Sequence, residues 1–342
     1  MSILTTPNPA VRAPSGRPLA TWQAELRDAI RDPRELCAAL DLPAACGLAA
    51  ATAASDFPVF VPPSYLARIE RGNPADPLLR QVWPAAEEDA TVEGFVSDPV
   101  DDAAFALQPG LLKKYAGRAL MIVTGACAIH CRYCFRRHFP YAGTPPSEAA
   151  WSASLERIAA DSSIHEIILS GGDPLTVTDA RLEWLAEHLA AIPQLRRLRI
   201  HTRLPIMIPS RVTDSLLAWL TGTRLTPVMV IHANHAQELD AEVAAALQRL
   251  RTAGVMLLNQ AVLLRGVNDT VEAQAELSER LIDIGVTPYY LHQLDRVHGA
   301  AHFEVPIADG RQIMAKLRRR LPGYAVPQYV QEQPNAPHKT PL

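Results

Sequence analysis

From about residue 116 the chain alternates short apolar, β-branched runs with longer amphipathic stretches. The runs predict strands over 119–123, 164–169, 198–201, 227–231, 255–258 and 288–291. Between them, apolar positions at helical spacing predict helices near 147–162, 179–192, 211–220, 238–253 and 270–284, several preceded by Ser, Thr or Asp as N-caps. Strand and helix in strict alternation imply parallel βα units, an α/β fold closing wholly or partly into a barrel. Upstream the pattern differs. Residues 1–20, rich in Pro, Thr and Ser, read as a loose arm; Trp22, Leu26 and Ile30 recur at intervals of four, and residues 58–115 mix short helical segments with Pro-rich turns. The expected organisation is a mostly helical region over 1–115, a core over 116–300 and a C-terminal extension over 301–342.

The polar residues change this picture. Each apolar run ends in something chemical: GACAIHCRYC, SGGDP, HTR, HANH, NQ and HQLD, in chain order. In α/β barrels the C-terminal strand ends form the active face, so His201, Arg203, His232, Asn234, Gln260 and Asp295 become candidate site residues.

Charge narrows the substrate. A net charge of −3 and a pI near 6.4 provide no cationic field for nucleic acid or an anionic membrane, which points to a small molecule. No apolar run reaches transmembrane length and the N-terminus lacks the apolar core of a secretion signal, so the expected compartment is the cytoplasm. The basic run Arg318, Arg319, Arg320 reads as the solvated face of a last helix. Lysine is scarce: only Lys113, Lys114, Lys316 and Lys339, against 29 arginines. Any Schiff-base chemistry therefore has four candidates, because arginine cannot form one.

Cys127, Cys131 and Cys134 are spaced CxxxCxxC, and thiols stay reduced in the cytoplasm. Three readings stand side by side: buried small hydrophobes, a zinc site completed by His130 or His138, or a [4Fe–4S] cluster held at three irons with the fourth open. Cys37 and Cys46, in the N-terminal region, read as packing residues.

CxxxCxxC after the first strand of a six-unit βα chain resembles the radical S-adenosylmethionine (SAM) superfamily. The resemblance implies a partial (β/α)6 TIM-type barrel of the radical SAM type, with the amino and carboxylate groups of SAM on the open iron. It also implies Tyr133 near the adenine, the backbone of Gly171, Gly172 and Asp173 at the methionyl amino group, and His232, Asn234 and Gln260 on the SAM side.

More of the chain, from about residue 57 onward, resembles the lysine 2,3-aminomutase family. FPVFVPP, GNPADPLLRQVWP, YAGRALMIVTGACAIHCRYCFRRHF, TRLPIMIPSRVT, LLNQAVLLRGVND, PYYLHQLD, GAAHFEVP and KTP carry the likeness. It implies an isomerase that uses pyridoxal phosphate beside the cluster and SAM to convert (S)-α-lysine to (R)-β-lysine. Lys339 is then the Schiff-base lysine, and Tyr115 and Arg118 hold the phosphate. Arg136 takes the substrate carboxylate, and Asp295 and Glu332 take the ε-ammonium. Two departures stand out: Asn335, Ala336, Pro337 and His338 replace the family's glycines, and Glu332 replaces its Asp. With no cysteine after Cys134, the chain resembles the short bacterial branch that supplies (R)-β-lysine to elongation factor P. A flavodoxin or ferredoxin donor and a homodimer are also implied. The alternatives are an aminomutase releasing free β-amino acid and, from another class, a non-catalytic zinc-binding module.

Overall fold

A computed structural model describes residues 21–53, 57–141 and 147–342; the expected arm over 1–20 lies outside the described residues. Ten strands form one sheet in linear order: β1 (Ala106–Gln108), β2 (Leu111–Leu112), β3 (Arg118–Thr124), β4 (Glu166–Gly171), β5 (Arg197–Thr202), β6 (Thr226–Ile231), β7 (Met256–Val262), β8 (Thr287–His292), β9 (Gln328–Gln331) and β10 (Thr340–Pro341). Pairing is parallel from β3 to β9 and antiparallel at both ends. All six expected strands are present, and β9 adds a seventh parallel one. β4 and β6 read as continuous apolar runs, as strands covered on both faces do.

The N-terminal region carries five short helices: α1 (Trp22–Arg27), α2 (Pro33–Ala39), α3 (Ala44–Ala53), α4 (Pro63–Leu66) and α5 (Pro77–Arg80). Single 3₁₀ turns at Ala86–Asp89 and Asp102–Phe105 follow them. This region also contributes β2, which pairs with the otherwise open edge of β3, and β1, which pairs with β2. Crossover helices α6 (Glu148–Ala159), α7 (Asp179–Ala190), α9 (Asp214–Thr221), α10 (Ala241–Thr252) and α11 (Val271–Asp283) join the parallel strands, with the short α8 (Leu204–Met207) between β5 and α9. Ser147, Thr213, Asp240 and Thr270 cap α6, α9, α10 and α11 through side-chain oxygens, each satisfying an otherwise unpaired N–H. Then α12 (Ile307–Arg320) leads into β9.

Apolar faces of these helices close on the strands in one continuous core that also takes in Trp22, Leu36, Tyr65 and Leu79 from the N-terminal region. Hydrogen bonds fasten that region to the strand ends. Arg68 donates to the carbonyls of Glu238 and Ile206, and Gln81 donates to the Glu238 carboxylate at 3.1 Å. Among the described residues no helix is long and apolar enough to cross a membrane.

Candidate active site

The cysteine loop leaves β3 at Thr124 and is stapled by its own cations. Arg132 is fully buried, donating from Nε to Glu88 at 2.7 Å and from Nη1 to the Phe57 carbonyl at 2.6 Å. Arg137 shares Glu88, at 2.8 Å. Two of the three arginines after Cys131 are thus committed to fixing the loop.

All five cysteines are free. Burial pushes the Cys127 thiol well up, and Cys134, Asp173 and Cys131 push it further; Cys134 is driven up to about 11, by burial first and Cys131 next. Cys127 and Cys134, two buried thiols that resist ionisation beside a third cysteine, call for a cationic ligand to compensate them, a donor set suited to iron–sulfur ligation. The zinc reading fits less well. His130 lies stacked on Phe57, with its Nδ1 at 2.8 Å from the Pro58 carbonyl, and His138 reaches the His298 carbonyl. Among the described residues no three His, Cys, Asp or Glu side chains converge on a point that would hold one metal ion. Tetrahedral zinc would bring its sulfurs to within about 3.8 Å of one another, given Zn–S bonds near 2.3 Å.

The glycine segment after β4 lies flat against this loop. Gly172 N donates to the Thr124 carbonyl at 2.8 Å and Asp173 N to the Ala126 carbonyl at 2.7 Å. A Cβ on Gly171, whose φ is +122°, would sit 2.5 Å from the Thr124 carbonyl oxygen, and one on Gly172 would meet the Ala126 carbonyl. The Asp173 side chain is otherwise engaged: it accepts from Thr202 Oγ1 at 2.7 Å and from the backbone N–H groups of Leu175, Arg203 and Leu204. It is therefore the segment's backbone that borders the cysteines.

Residues at the next strand ends form a connected polar layer. Asn234 Nδ2 donates to Tyr133 Oη at 2.6 Å, while its Oδ1 accepts from Val262 N at 2.8 Å. Gln260 Nε2 lies 2.7 Å from His232 Nε2, and the His232 ring meets that of His201 edge-on. Burial, then Arg203, lowers His232 to about 3; His201 and His292 are also held well below the ordinary range, by burial first. These imidazoles are neutral near pH 7. Among the described residues, His201 Nε2 and His292 Nε2 are buried without a hydrogen-bond partner.

A second centre is assembled from both ends of the chain. Antiparallel pairing of β10 with β9 sets Thr340 opposite Gln331, which brings Lys339 beside Glu332. Lys339 Nζ lies 2.5 Å from Glu332 Oε2, while Lys114 Nζ at 2.8 Å and Tyr115 Oη at 2.5 Å meet Oε1. The Arg118 guanidinium stacks on the Tyr115 ring at 4.7 Å. Only a quarter of the Lys339 side chain is exposed, despite its place near the C-terminus. Burial alone would raise the Glu332 pKa, but Lys339, Lys114 and Tyr115 outweigh it and hold the carboxyl at about 2. Asp295 is the converse. Burial drives it up to about 7, Lys339 and Lys114 pull it down, and Glu332 and Asp102 push it up.

Arg136 connects the two centres. Its Nε donates to Asp102 Oδ2 at 2.7 Å and its Nη1 to Ser170 Oγ at 3.2 Å, leaving three of five N–H donors for a ligand. His201, lowered first by burial and then by Arg199 and His232, also feels the charges of Lys339 and Arg136. Tyr115, Lys114 and Lys339 converge on Glu332, and Asp295 feels the charges of Lys339, Glu332 and Lys114; Gln260 with His232 and Asn234 with Tyr133 form two further hydrogen-bonded pairs. Several participants carry no motif: Glu88, Asp102 and Glu238. Asp102 lies 34 residues before Arg136, and no local pattern announces the pair.

A family model described as the radical SAM superfamily matches residues 121–277. The chain is 48% identical over 322 residues to the L-lysine 2,3-aminomutase of Escherichia coli (strain K12), covering 94% of each protein. It is 46% identical over 319 residues to the L-lysine 2,3-aminomutase of Haemophilus influenzae, covering 93% of this chain and 94% of the relative. Against the enzyme of that name from Clostridium subterminale, identity is 35% over 324 residues, covering 94% of this chain and 77% of the relative. Among solved structures, a radical SAM methyltransferase from Sphaerobacter thermophilus aligns with a TM-score of 0.42 at 18% identity, covering 64% of this chain and 68% of its own, too slight a likeness to carry weight. With nearly half its residues identical to relatives matched along almost their whole length, this chain belongs to the lysine 2,3-aminomutase family of the radical SAM superfamily.

Proposed function

We propose that this protein converts (S)-α-lysine to (R)-β-lysine. One observation carries the reading: Lys339, itself a lysine-type ammonium, is gripped by Glu332, and its charge acts on the buried Asp295. Carboxylates at Glu332 and Asp295, with the Arg136 guanidinium for an α-carboxylate, suit an amino acid with a cationic tail. Glutamate, in contrast, would need a cation where Asp295 stands.

When bound, the cluster and SAM supply a carbon radical able to take hydrogen from substrate C3, and pyridoxal phosphate supplies the carbonyl that carries the migrating nitrogen. The chain's own residues do the rest. Cys127, Cys131 and Cys134 hold three irons, and the backbone over Gly171, Gly172 and Asp173 lies against their loop. Lys339 provides the amine that retains pyridoxal phosphate. Lys114, Tyr115 and Arg118 offer two cations and a phenol to a phosphate dianion. Arg136, with Nε fixed by Asp102, presents its remaining donors to the α-carboxylate as a bidentate pair. Once Lys339 is engaged elsewhere, Glu332 Oε2 is released to join Asp295 at the substrate ε-ammonium, while Lys114 and Tyr115 stay on Oε1. The neutral imidazoles of His201, His232 and His292 add no competing cation at neutral pH.

The product serves β-lysylation of elongation factor P in this reading. The near-complete mutual coverage with the Escherichia coli and Haemophilus influenzae relatives, against 77% of the clostridial one, supports placing the chain with the short branch. We further propose a homodimer working in the cytoplasm and reduced by flavodoxin or ferredoxin; free thiols throughout accord with that compartment.

The test compares L-lysine with L-glutamate and L-ornithine under anaerobic turnover with SAM and reductant. Lysine should be preferred over both by at least tenfold in kcat/KM; equal or better use of glutamate would remove the substrate assignment. Elongation factor P from a strain lacking this gene should lose the β-lysyl mass, and its retention would confine the enzyme to a free β-lysine role.

A further inference from the structure

Arg203 follows directly on β5 and is buried. No step assigned above uses it. Its guanidinium is nonetheless held on every side: Nε donates to the His232 carbonyl at 3.2 Å, and Nη2 to Gln81 Oε1 at 2.6 Å and Glu238 Oε2 at 2.8 Å. The remaining edge is aimed at sulfur, with Nη1 donating to Cys131 Sγ at 2.8 Å. Glu238 is completely buried, with its Oε1 accepting from the backbone N–H groups of Asn234 and His235, so the clamp cannot swing away. Gln81 adds to its rigidity by donating to the same carboxylate and to the Pro77 carbonyl. A full positive charge on a buried guanidinium is thereby fixed against one cysteine sulfur.

We infer that Arg203 is a built-in tuner of the iron–sulfur centre, a fixed charged donor to the Cys131 sulfur that raises the reduction potential. This rests on reading the three cysteines as cluster ligands. The step concerned is a one-electron reduction: dithionite or a protein donor is oxidised, and the oxidised cluster accepts one electron, gaining one negative charge. Hydrogen bonds and positive charge at the ligand sulfurs stabilise that more negative state, so they shift the potential upward. Glu238 acts in the opposite sense, because its charge partly cancels that of Arg203. The two residues thus predict opposite signs, which a merely structural role would not produce.

The experiment is an anaerobic potentiometric titration of the full-length, iron-loaded protein, followed by electron paramagnetic resonance of the reduced cluster. Arg203→Met should shift the midpoint negative by at least the equivalent of a tenfold fall in the reduced-to-oxidised ratio, about 59 mV for one electron. Arg203→Lys, which keeps the charge but loses the fork, should shift it less in the same direction. Glu238→Gln should shift it positive. An iron-replete Arg203→Met protein with the wild-type midpoint would overturn the inference. If that variant fails to assemble a cluster, a negative or null shift in Glu238→Gln overturns it instead. A wild-type protein that takes up no iron would remove the cluster reading itself, an outcome distinguishable from a loaded protein whose variants do not move.

Discussion

Replacing Asp295 with Asn should remove a pH dependence from lysine binding. The Asp295 carboxyl is driven up to about 7, chiefly by burial, so it is about half ionised at pH 7 before lysine enters. An ε-ammonium binds the ionised form, and the complex must therefore shed a proton wherever Asp295 begins protonated. The ionised fraction is about nine-tenths at pH 8 and about one-tenth at pH 6, so lysine KM should rise roughly tenfold over that interval, about 1.4 kcal/mol. Glu332, held at about 2, is ionised throughout and contributes no slope. Initial rates at saturating SAM under anaerobic conditions, from pH 6 to 8, provide the assay. In Asp295→Asn the KM should be high at all pH values and lack this slope. Any dependence due to the substrate's α-amino group is common to both proteins and cancels in the comparison. A wild-type KM that is flat from pH 6 to 8, or a slope retained in Asp295→Asn, would refute the reasoning.

Three further perturbations probe other parts of the pocket. Lys339→Ala should lose the visible pyridoxal absorption while keeping its iron content; a retained band would remove Lys339 as the attachment point. Gly172→Ala places a Cβ 2.7 Å from the Ala126 carbonyl carbon and 2.8 Å from that of Gly125, so overpacking should cost about 2–3 kcal/mol and lower iron incorporation, read by thermal unfolding and iron analysis. Wild-type values in both would contradict the close approach. Asp102→Ala leaves Arg136 buried without its carboxylate, and should cost on the order of 3 kcal/mol in stability and raise lysine KM, with Asp102→Asn milder on both. An unchanged KM would mean that Asp102 does not orient Arg136.

Where apolar runs are flanked by turn residues, sequence and structure agree closely: the predicted 119–123, 198–201, 227–231 and 288–291 each lie inside an observed strand. The exceptions are instructive. β4 begins at Glu166 rather than 164, because Ile164 is buried from a turn whose N–H bonds to the Asp161 carbonyl. β7 runs on to Val262, through Asn259 and Gln260, where a hydrophobicity pattern stops too early. Polar residues inside the ends of strands look like loops to a pattern reading, and they are the ones the site uses. β1 and β2 were illegible for another reason: they are two or three residues long, with β2 pairing on the edge of β3 and β1 on β2. In the pocket itself, the cysteines and Lys339 are legible as residue types at telling positions. The grip of Lys114, Tyr115 and Lys339 on Glu332 is not, since it depends on β10 folding back on β9 and reaching residues more than two hundred positions upstream. Asp102 and Glu238 are invisible for the same reason, as long-range partners of arginines that carry no local signature.

The central claim is tested most directly by incubating the iron-loaded, pyridoxal-phosphate-loaded protein anaerobically with L-lysine deuterated at C3, SAM and dithionite, and analysing the products by mass. The account predicts β-lysine carrying deuterium at C2, deuterium in the recovered SAM, and no product when SAM or reductant is omitted. Iron-loaded protein that forms no β-lysine, or β-lysine that forms without SAM, would contradict it.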